Sequence, residues 1–409
     1  MDGLLHKLPN KVVWLALCLM PFLAIAGGLG IAPVGFLIGL IGWAVLVTSS
    51  QAKKVIAAPW FLALCAMLIW CCVAQLWSPY KQSGFLGNPV LLGIIVVGYC
   101  GVIPSFKNIN PNAQNILCHL FLASSVLGIG LMFIDILSGF GLSTLVDPVN
   151  PGEVIHKRQG DAEQNLGRGL LTYTQFLPAI ILMFIVKFKQ GWLTIIPMVF
   201  ILLLTAHLNR LSLPLFVIIP TLLIMGLTWK FPQFMIKAVF CLLILLVICG
   251  PLTGFLSGLL SDEQLAELPL SVEHRLRMWA YAWERILENP WLGNGFDASR
   301  SYQDTFISKE GYEIVIVSLH THNAPVQIWL EIGMIGAVLS ALTLVMLMKP
   351  ALRFSSNSAR ASALAGTVMA IALFGATTIG VWQFWWWGSM FIAIGMLHLI
   401  PAAPSQKIQ

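Results

Sequence analysis

The segment from Trp192 to Leu256, WLTIIPMVFILLLTAHLNRLSLPLFVIIPTLLIMGLTWKFPQFMIKAVFCLLILLVICGPLTGFL, holds three formally charged residues, Arg210, Lys230 and Lys237. Arg210 and Lys230 fall between three apolar runs, 191–208, 211–228 and 236–256, and Lys237 stands at the start of the third; each run is near the ~20 residues that carry a helix across a bilayer core. No soluble domain tolerates such a stretch, because it has no polar face to turn to water. The rest of the chain repeats the pattern. Of 409 residues 58% are apolar and 10% charged, and the mean hydropathy is +0.86. That composition excludes a water-soluble enzyme and leaves no room for a large soluble catalytic domain.

Apolar windows near 12–28, 31–48, 57–77, 86–104, 116–138 and 172–187 precede those three, and windows near 324–348, 362–381 and 384–401 follow them. They predict an all-α polytopic membrane protein of about twelve transmembrane helices, one transmembrane domain over 1–409. Lys7 and Lys11 precede the first run without a small-residue cleavage pattern, so it reads as a retained span. Neither an internal repeat nor paired broken helices in corresponding halves is visible, and both would mark a secondary transporter. The intervals 139–171 and 257–323 are rich in Asp, Glu, Gly and other polar residues and are the two loops able to hold chemistry. With both termini inside, thirteen basic residues share that side with one acid, Asp2, while the other side holds ten basic residues and fifteen acids. Both long loops then fall outside. The inside cations are mostly lysines beside helix ends, whereas the outside set contains seven arginines. The eight cysteines lie in apolar segments without metal-ligand spacing and read as small buried hydrophobes.

Three places outside could carry chemistry. From Ser271 to Gly295 the chain reads SVEHRLRMWAYAWERILENPWLGNG. Trp279, Trp283 and Ile286 or Leu287 recur at helical spacing, Ser271 reads as a cap with Glu273 in the first turn, and Pro290 ends the run. This predicts an amphipathic helix on the outer membrane surface with the tryptophans as interfacial anchors. Arg275 lies on the side of Trp279, and Gly293 and Gly295 form a turn. From Ser318 to Ala337 the chain reads SLHTHNAPVQIWLEIGMIGA, where Asn323 caps a helix and places His322 at the outer mouth of the tenth span. Gln327 and Glu331 share a face of that helix, with Glu331 about 12 Å further in, where a carboxylate needs a partner or a wet cavity. His320 and His322 without Cys or a nearby carboxylate triad make a weak metal site. Finally, Arg210 occupies a short external turn that needs no cation for orientation, and an anion or an external carboxylate is its natural partner.

Arg275 to Trp279, then ENPWLGNGF, then LHTHNAPVQIWLEIGMIG together resemble the signature of the O-antigen ligase and O-antigen polymerase superfamily, over residues 271–337. The resemblance implies a multi-span bacterial inner-membrane glycosyltransferase, similar to the C-type class, with both termini cytoplasmic and a helical periplasmic loop before the tenth span. It implies transfer of a glycan from undecaprenyl diphosphate to a hydroxyl without a metal ion or other cofactor. In ligases the acceptor is a sugar of the lipid A core. The family's functional arginines and histidine fall on Arg210, Arg275 and His322. Membrane lipids are the other expected partner, and no nucleic acid is. An O-antigen polymerase or a protein O-oligosaccharyltransferase would share donor, Arg and His but use another acceptor. A lipid-linked glycan flippase would instead line a central cavity with charge.

The residue chemistry agrees with that reading. Cleaving a sugar–diphosphate bond leaves a growing anion, which Arg meets with two parallel donors where Lys is a point charge. Arg210 and Arg275 suit that task. An imidazole with an ordinary pKa near 6.5 can take the acceptor's proton near neutral pH, so His322 is the expected base in a transfer written as inverting. Lys157, Arg158 and Arg168 alternate with acids in HKRQGDAEQNLGRG, a solvated loop in which Arg168, between Gly167 and Gly169, is a further diphosphate or lipid A phosphate contact. Gln327 and Glu331 complete the expected substrate-binding set.

Overall fold

The computed structural model describes residues 8–27, 30–81, 88–143 and 155–401, with side chains from 160 onward in the last of these. Asp2, Lys7, Lys407 and the side chains of Lys157 and Arg158 lie outside the described residues, as does 144–154 of the first long loop. The fold is an all-α polytopic membrane protein. Among the described residues eight helices are long and apolar enough to cross a membrane, a bent pair Pro232–Ile248 and Gly250–Ser257 makes a ninth, and three shorter apolar helices, Pro59–Ala74, Trp192–Leu208 and Phe384–Leu399, accompany them. Each of the twelve apolar windows coincides with one of these elements.

Side chains on the outside of the bundle, such as Phe200, Phe216, Leu223 and Phe234, are apolar and exposed, as lipid-facing residues are. Cys241 and Cys249 share that exposure, while Cys71, Cys100 and Cys118 are buried. Window hydrophobicity cannot separate these two environments, because lipid and protein interior are equally apolar.

The sixth helix begins at Ile155, not at 172, so half of the first expected loop is helical. Polar composition had marked a loop, yet a solvated helical turn is polar too. Here Arg168 donates to Asn165 Oδ1 at 2.8 Å and to Gln164 Oε1 at 3.0 Å, one turn back on the same face. A Cβ at Gly169 would stand 2.2 Å from the Ala24 carbonyl oxygen. The glycine therefore lets the first and sixth helices touch through their backbones.

Two spans are broken. The bent pair turns by 57°, and Pro251 lacks the N–H that would satisfy the Val247 carbonyl. The Trp329 indole donates to that carbonyl at 2.8 Å. The helix Ala324–Ala351 breaks at Gly333, with φ 64 and ψ −169, a region open essentially to glycine alone. Breaking a span leaves backbone groups that hydrocarbon cannot satisfy, and the segment Pro290–Phe296 supplies their partners. Asn294 N–H donates to Leu330 O at 2.8 Å and Gly295 N–H to Glu331 O at 2.9 Å, while Met334 N–H donates to Pro290 O at 2.9 Å. Trp70 Nε1 donates to Ile332 O at 2.9 Å. ENPWLGNGF is thus a plug shaped to the break. Gly293 and Gly295, at φ 73 and 105, form the expected turn within it.

The second loop folds as a short helix Asp262–Ala266, a long helix Leu270–Glu288 and a two-stranded antiparallel hairpin, Thr305–Ile307 with Glu313–Val315. Its long helix begins after Pro269, not at a Ser271 cap. It packs on Gly250–Ser257 and on the broken helix. A Cβ at Gly254 would meet Trp279 O at 2.5 Å, and Trp283 packs edge-on against Phe255. The tryptophans are structural struts because Gly254 admits the helix closely enough to cover them.

Candidate active site

His322 sits in the turn before the broken helix, where Asn323 caps by accepting from Val326 N–H at 3.1 Å. Its backbone is left-handed, φ 51, a conformation that costs a non-glycine residue about 1–3 kcal/mol. Two struts hold the turn: Trp279 Nε1 donates to Thr321 O at 2.8 Å, and the His322 N–H donates to His320 Nδ1 at 3.2 Å.

The His322 ring reaches Thr378 O through Nδ1 at 2.9 Å. A carbonyl only accepts, so Nδ1 carries the proton and the neutral ring presents a bare lone pair on Nε2. Nε2 makes no hydrogen bond among the described residues. Thr378 is the C-cap of the helix Ser358–Thr377, so the negative end of that helix faces the imidazolium that forms when Nε2 takes a proton. Burial pushes the His322 pKa below its ordinary value; the Thr378 hydrogen bond raises it, and the charges of Arg275 and His274 add to the lowering.

His320 is different. Burial, then the neighbouring His322, Arg300 and Arg168 charges, push it down to about 3, and its other nitrogen faces the Gln383 amide at 2.9 Å. Both its nitrogens are engaged and it packs against Gly380, which makes it a support for His322. Among the described residues no group of three His, Cys, Asp or Glu forms a metal-ligand set.

Six arginines between Arg168 and Arg300 divide into two groups. Arg277 is paired with Glu273 and Asp262, Arg285 with Glu288 and Arg300 with Asp297. Arg168, Arg210 and Arg275 form no ion pair among the described residues. Arg275 donates to its own helix at Ser271 O, 3.3 Å away, and its charge reaches His322. Arg168 stands near enough to His320 for its charge to be felt there. Arg210 ends the helix Trp192–Leu208 in a left-handed turn, with Leu211 N–H donating to Ala206 O at 2.8 Å. Leu211 packs into the cluster containing Ile379, next to the Thr378 that holds His322, so the turn borders the same end of the bundle.

Gln327 and Glu331 are not available to substrate. Glu331 is fully buried and accepts from Asp297 N–H at 2.9 Å, Ser299 Oγ at 2.5 Å, Gln327 Nε2 at 3.0 Å and the Trp382 indole. Gln327 also accepts from Val381 N–H at 2.9 Å. Helical periodicity put the pair on one face but could not reveal that the loop after the plug closes over it. The carboxylate anchors that loop, and its expected contact with substrate gives way to a positioning role.

Residues 191–341 match the family model described as O-Antigen ligase. The resemblance to the O-antigen ligase superfamily holds over that segment. Arg210, Arg275, His322, Gln327 and Glu331 fall inside the match, and Arg168 outside it. A "Putative polysaccharide ligase" of Rickettsia bellii (strain RML369-C) is 31% identical over 144 residues, and one of Rickettsia felis (strain ATCC VR-1525 / URRWXCal2) is 29% identical over 144. Each alignment covers 34% of this chain and 35% of the relative.

Three members of the candidate site lay beyond the sequence reading. Thr378 acts through its backbone oxygen, which no side-chain pattern announces. Trp382, whose indole reaches Glu331, belongs to WQFWWW, four tryptophans in six residues at the N-terminal end of the last helix. Such density signals more than lipid anchoring. Gly333, within EIGMIG, was legible only as one glycine in an apolar helix.

Proposed function

We propose that this protein is a membrane glycosyltransferase that moves a glycan from undecaprenyl diphosphate to a sugar hydroxyl of the lipid A core, on the periplasmic side of a bacterial inner membrane, as an O-antigen ligase. The observation that carries the reading is His322, its Nδ1 committed to Thr378 O and its Nε2 left as an acceptor, within reach of the charge of an unpaired arginine, Arg275. Nε2 takes the proton of the acceptor hydroxyl as its oxygen bonds to the anomeric carbon. The bond from that carbon to the diphosphate oxygen breaks, and its electron pair leaves on the diphosphate. Arg275 and Arg210, with Arg168 at the flank, meet the growing negative charge. One displacement inverts the anomeric centre, and Glu331 and Gln327 hold the plug and the last-helix turn in register.

Purified protein in lipid vesicles, given the lipid-diphosphate glycan and a lipid A core acceptor, is the experiment. Glycosylated core should form with release of one lipid diphosphate per transfer. Glycan crossing the vesicle membrane without covalent product would make it a transporter. The same assay in excess EDTA should keep its rate, because arginines do the work of a cation and both His320 nitrogens are engaged. Activity lost on chelation and restored by one divalent ion would contradict this. In Arg275→Lys the rate should fall by on the order of 10²-fold, since a point charge cannot hold two phosphate oxygens. A fully active lysine variant would show that charge alone suffices.

A further inference from the structure

The turn 378–383, between the last two helices, grips both histidines. Thr378 O holds His322 Nδ1. Gly380 lies under the His320 ring, where a Cβ would stand 2.7 Å from Cγ and Cδ2, and the Gln383 amide meets His320 Nε2 at 2.9 Å. The turn is itself fixed from three sides. Val381 N–H donates to Gln327 Oε1 at 2.9 Å, Val381 O accepts from the Trp387 indole at 2.7 Å, and the Trp382 indole donates to Glu331. Gln383 is the N-cap of the last helix, a position whose side chain ordinarily accepts from the first helical N–H groups. It makes no such bond, and its amide is turned to His320 instead.

The proton on His320 is located by its backbone neighbour. The His322 N–H donates to His320 Nδ1, and an imidazolium has no lone pair to accept with, so the ring is neutral and carries its one proton on Nε2. Burial, with the charges of His322, Arg300 and Arg168, favours that neutral form. A protonated Nε2 needs an acceptor. Glutamine offers one only at its carbonyl, and an amide nitrogen placed there would set two donors against each other, so the end of the amide that faces His320 is Oε1. One chain of bonds then runs from Gln383 Oε1 through His320 to the His322 N–H. It ends on the left-handed residue, φ 51, whose ring presents the free Nε2.

We infer that Gln383 is a positioning residue for the base: its carbonyl oxygen fixes the His320 proton on Nε2, which keeps Nδ1 bare to hold the His322 turn. The inference rests on the proposed transfer reaction, in which His322 is that base. Without the Gln383 oxygen, His320 has no reason to keep its proton on Nε2. With the proton moved to Nδ1, two N–H groups face each other and the bond that holds the strained turn is lost.

The test is transfer by purified full-length protein at pH 8 in two variants. Gln383→Met keeps the side-chain length and removes the acceptor, whereas Gln383→Glu keeps an acceptor and cannot donate. Gln383→Met should lower kcat about tenfold with KM for both substrates near wild type, and should add no further loss in a His320→Ala background. Gln383→Glu should keep kcat within about threefold of wild type. Its carboxylate raises a His320 pKa that starts from about 3 by about 1–3, so the ring stays neutral at pH 8. The same charge favours the imidazolium of both histidines against the lowering by Arg300, Arg168, Arg275 and His274, so the acid limb of kcat should move to higher pH than in wild type. Wild-type kcat in Gln383→Met, a loss that adds to that of His320→Ala, a loss in Gln383→Glu as large as in Gln383→Met, or an unmoved acid limb in Gln383→Glu would each overturn the inference. If Gln383→Met fails to fold, Gln383→Glu decides by its rate and its acid limb. Those contrary results leave the transfer reaction standing while wild-type protein gives product; absence of product in wild-type protein removes the reaction and this role with it.

Discussion

His322→Ala is expected to lower glycan transfer by about 10²- to 10⁴-fold, the range that a positioned general base contributes. Insertion and donor binding should stay near wild type, because the ring lies in a turn before the span Ala324–Ala351 and the diphosphate is assigned to the arginines. His320→Ala should be much milder. It removes a support at 3.2 Å from the His322 N–H, not the group that takes the proton. Initial rates of core glycosylation by the two purified variants measure the difference. Equal and complete loss in both would assign the pair a shared structural task.

Gly333→Ala is expected to destabilise the folded protein by on the order of 3 kcal/mol or more. A Cβ there would stand 2.4 Å from Trp291 O and 2.5 Å from Gly293 N, at a φ and ψ that alanine cannot hold without strain. Relieving the clash expels the plug, and the carbonyls of Leu330 and Glu331 lose the donors they have in Asn294 and Gly295. Gly130→Ala is the control. A Cβ there meets nothing within 4 Å, so helix propensity should leave it unchanged or up to about 1 kcal/mol more stable. Thermal unfolding of both in detergent tests the pair, and a wild-type melting curve for Gly333→Ala would remove the plug from the account.

What could be read from the sequence follows from what hydropathy encodes. Twelve apolar windows gave twelve apolar elements because membrane burial is written residue by residue. The breaks at Val247–Pro251 and Gly333 were not legible as breaks, since the groups that repair them, Trp329, Trp70 and the plug backbone, come from elsewhere in the chain. The start of the sixth helix was missed for a related reason: HKRQGDAEQNLGRG is polar because it is solvated, and polarity does not specify backbone conformation. Among site residues, His322 was legible from the Asn323 cap that follows it, and Arg275 from its place on an amphipathic helix. What separates Arg168, Arg210 and Arg275 from Arg277, Arg285 and Arg300 is the lack of an ion-pair partner among the described residues, a property of the packed chain. Glu331 was found as an intramembrane acid, yet its four donors come from three separate segments and turn it from a ligand contact into an anchor.

The claim that His322 Nε2 takes the acceptor proton is tested most directly by the pH dependence of kcat/KM for transfer by the purified protein. Burial holds the His322 pKa below its ordinary 6.5, so the ring is neutral and competent at pH 7 and loses competence only as pH falls through the lowered value. The account predicts a plateau above about pH 6.5 and a single-proton decline below it, with that limb absent from the residual rate of His322→Ala. A limb rising above pH 7, or the same acid limb persisting in His322→Ala, would contradict it.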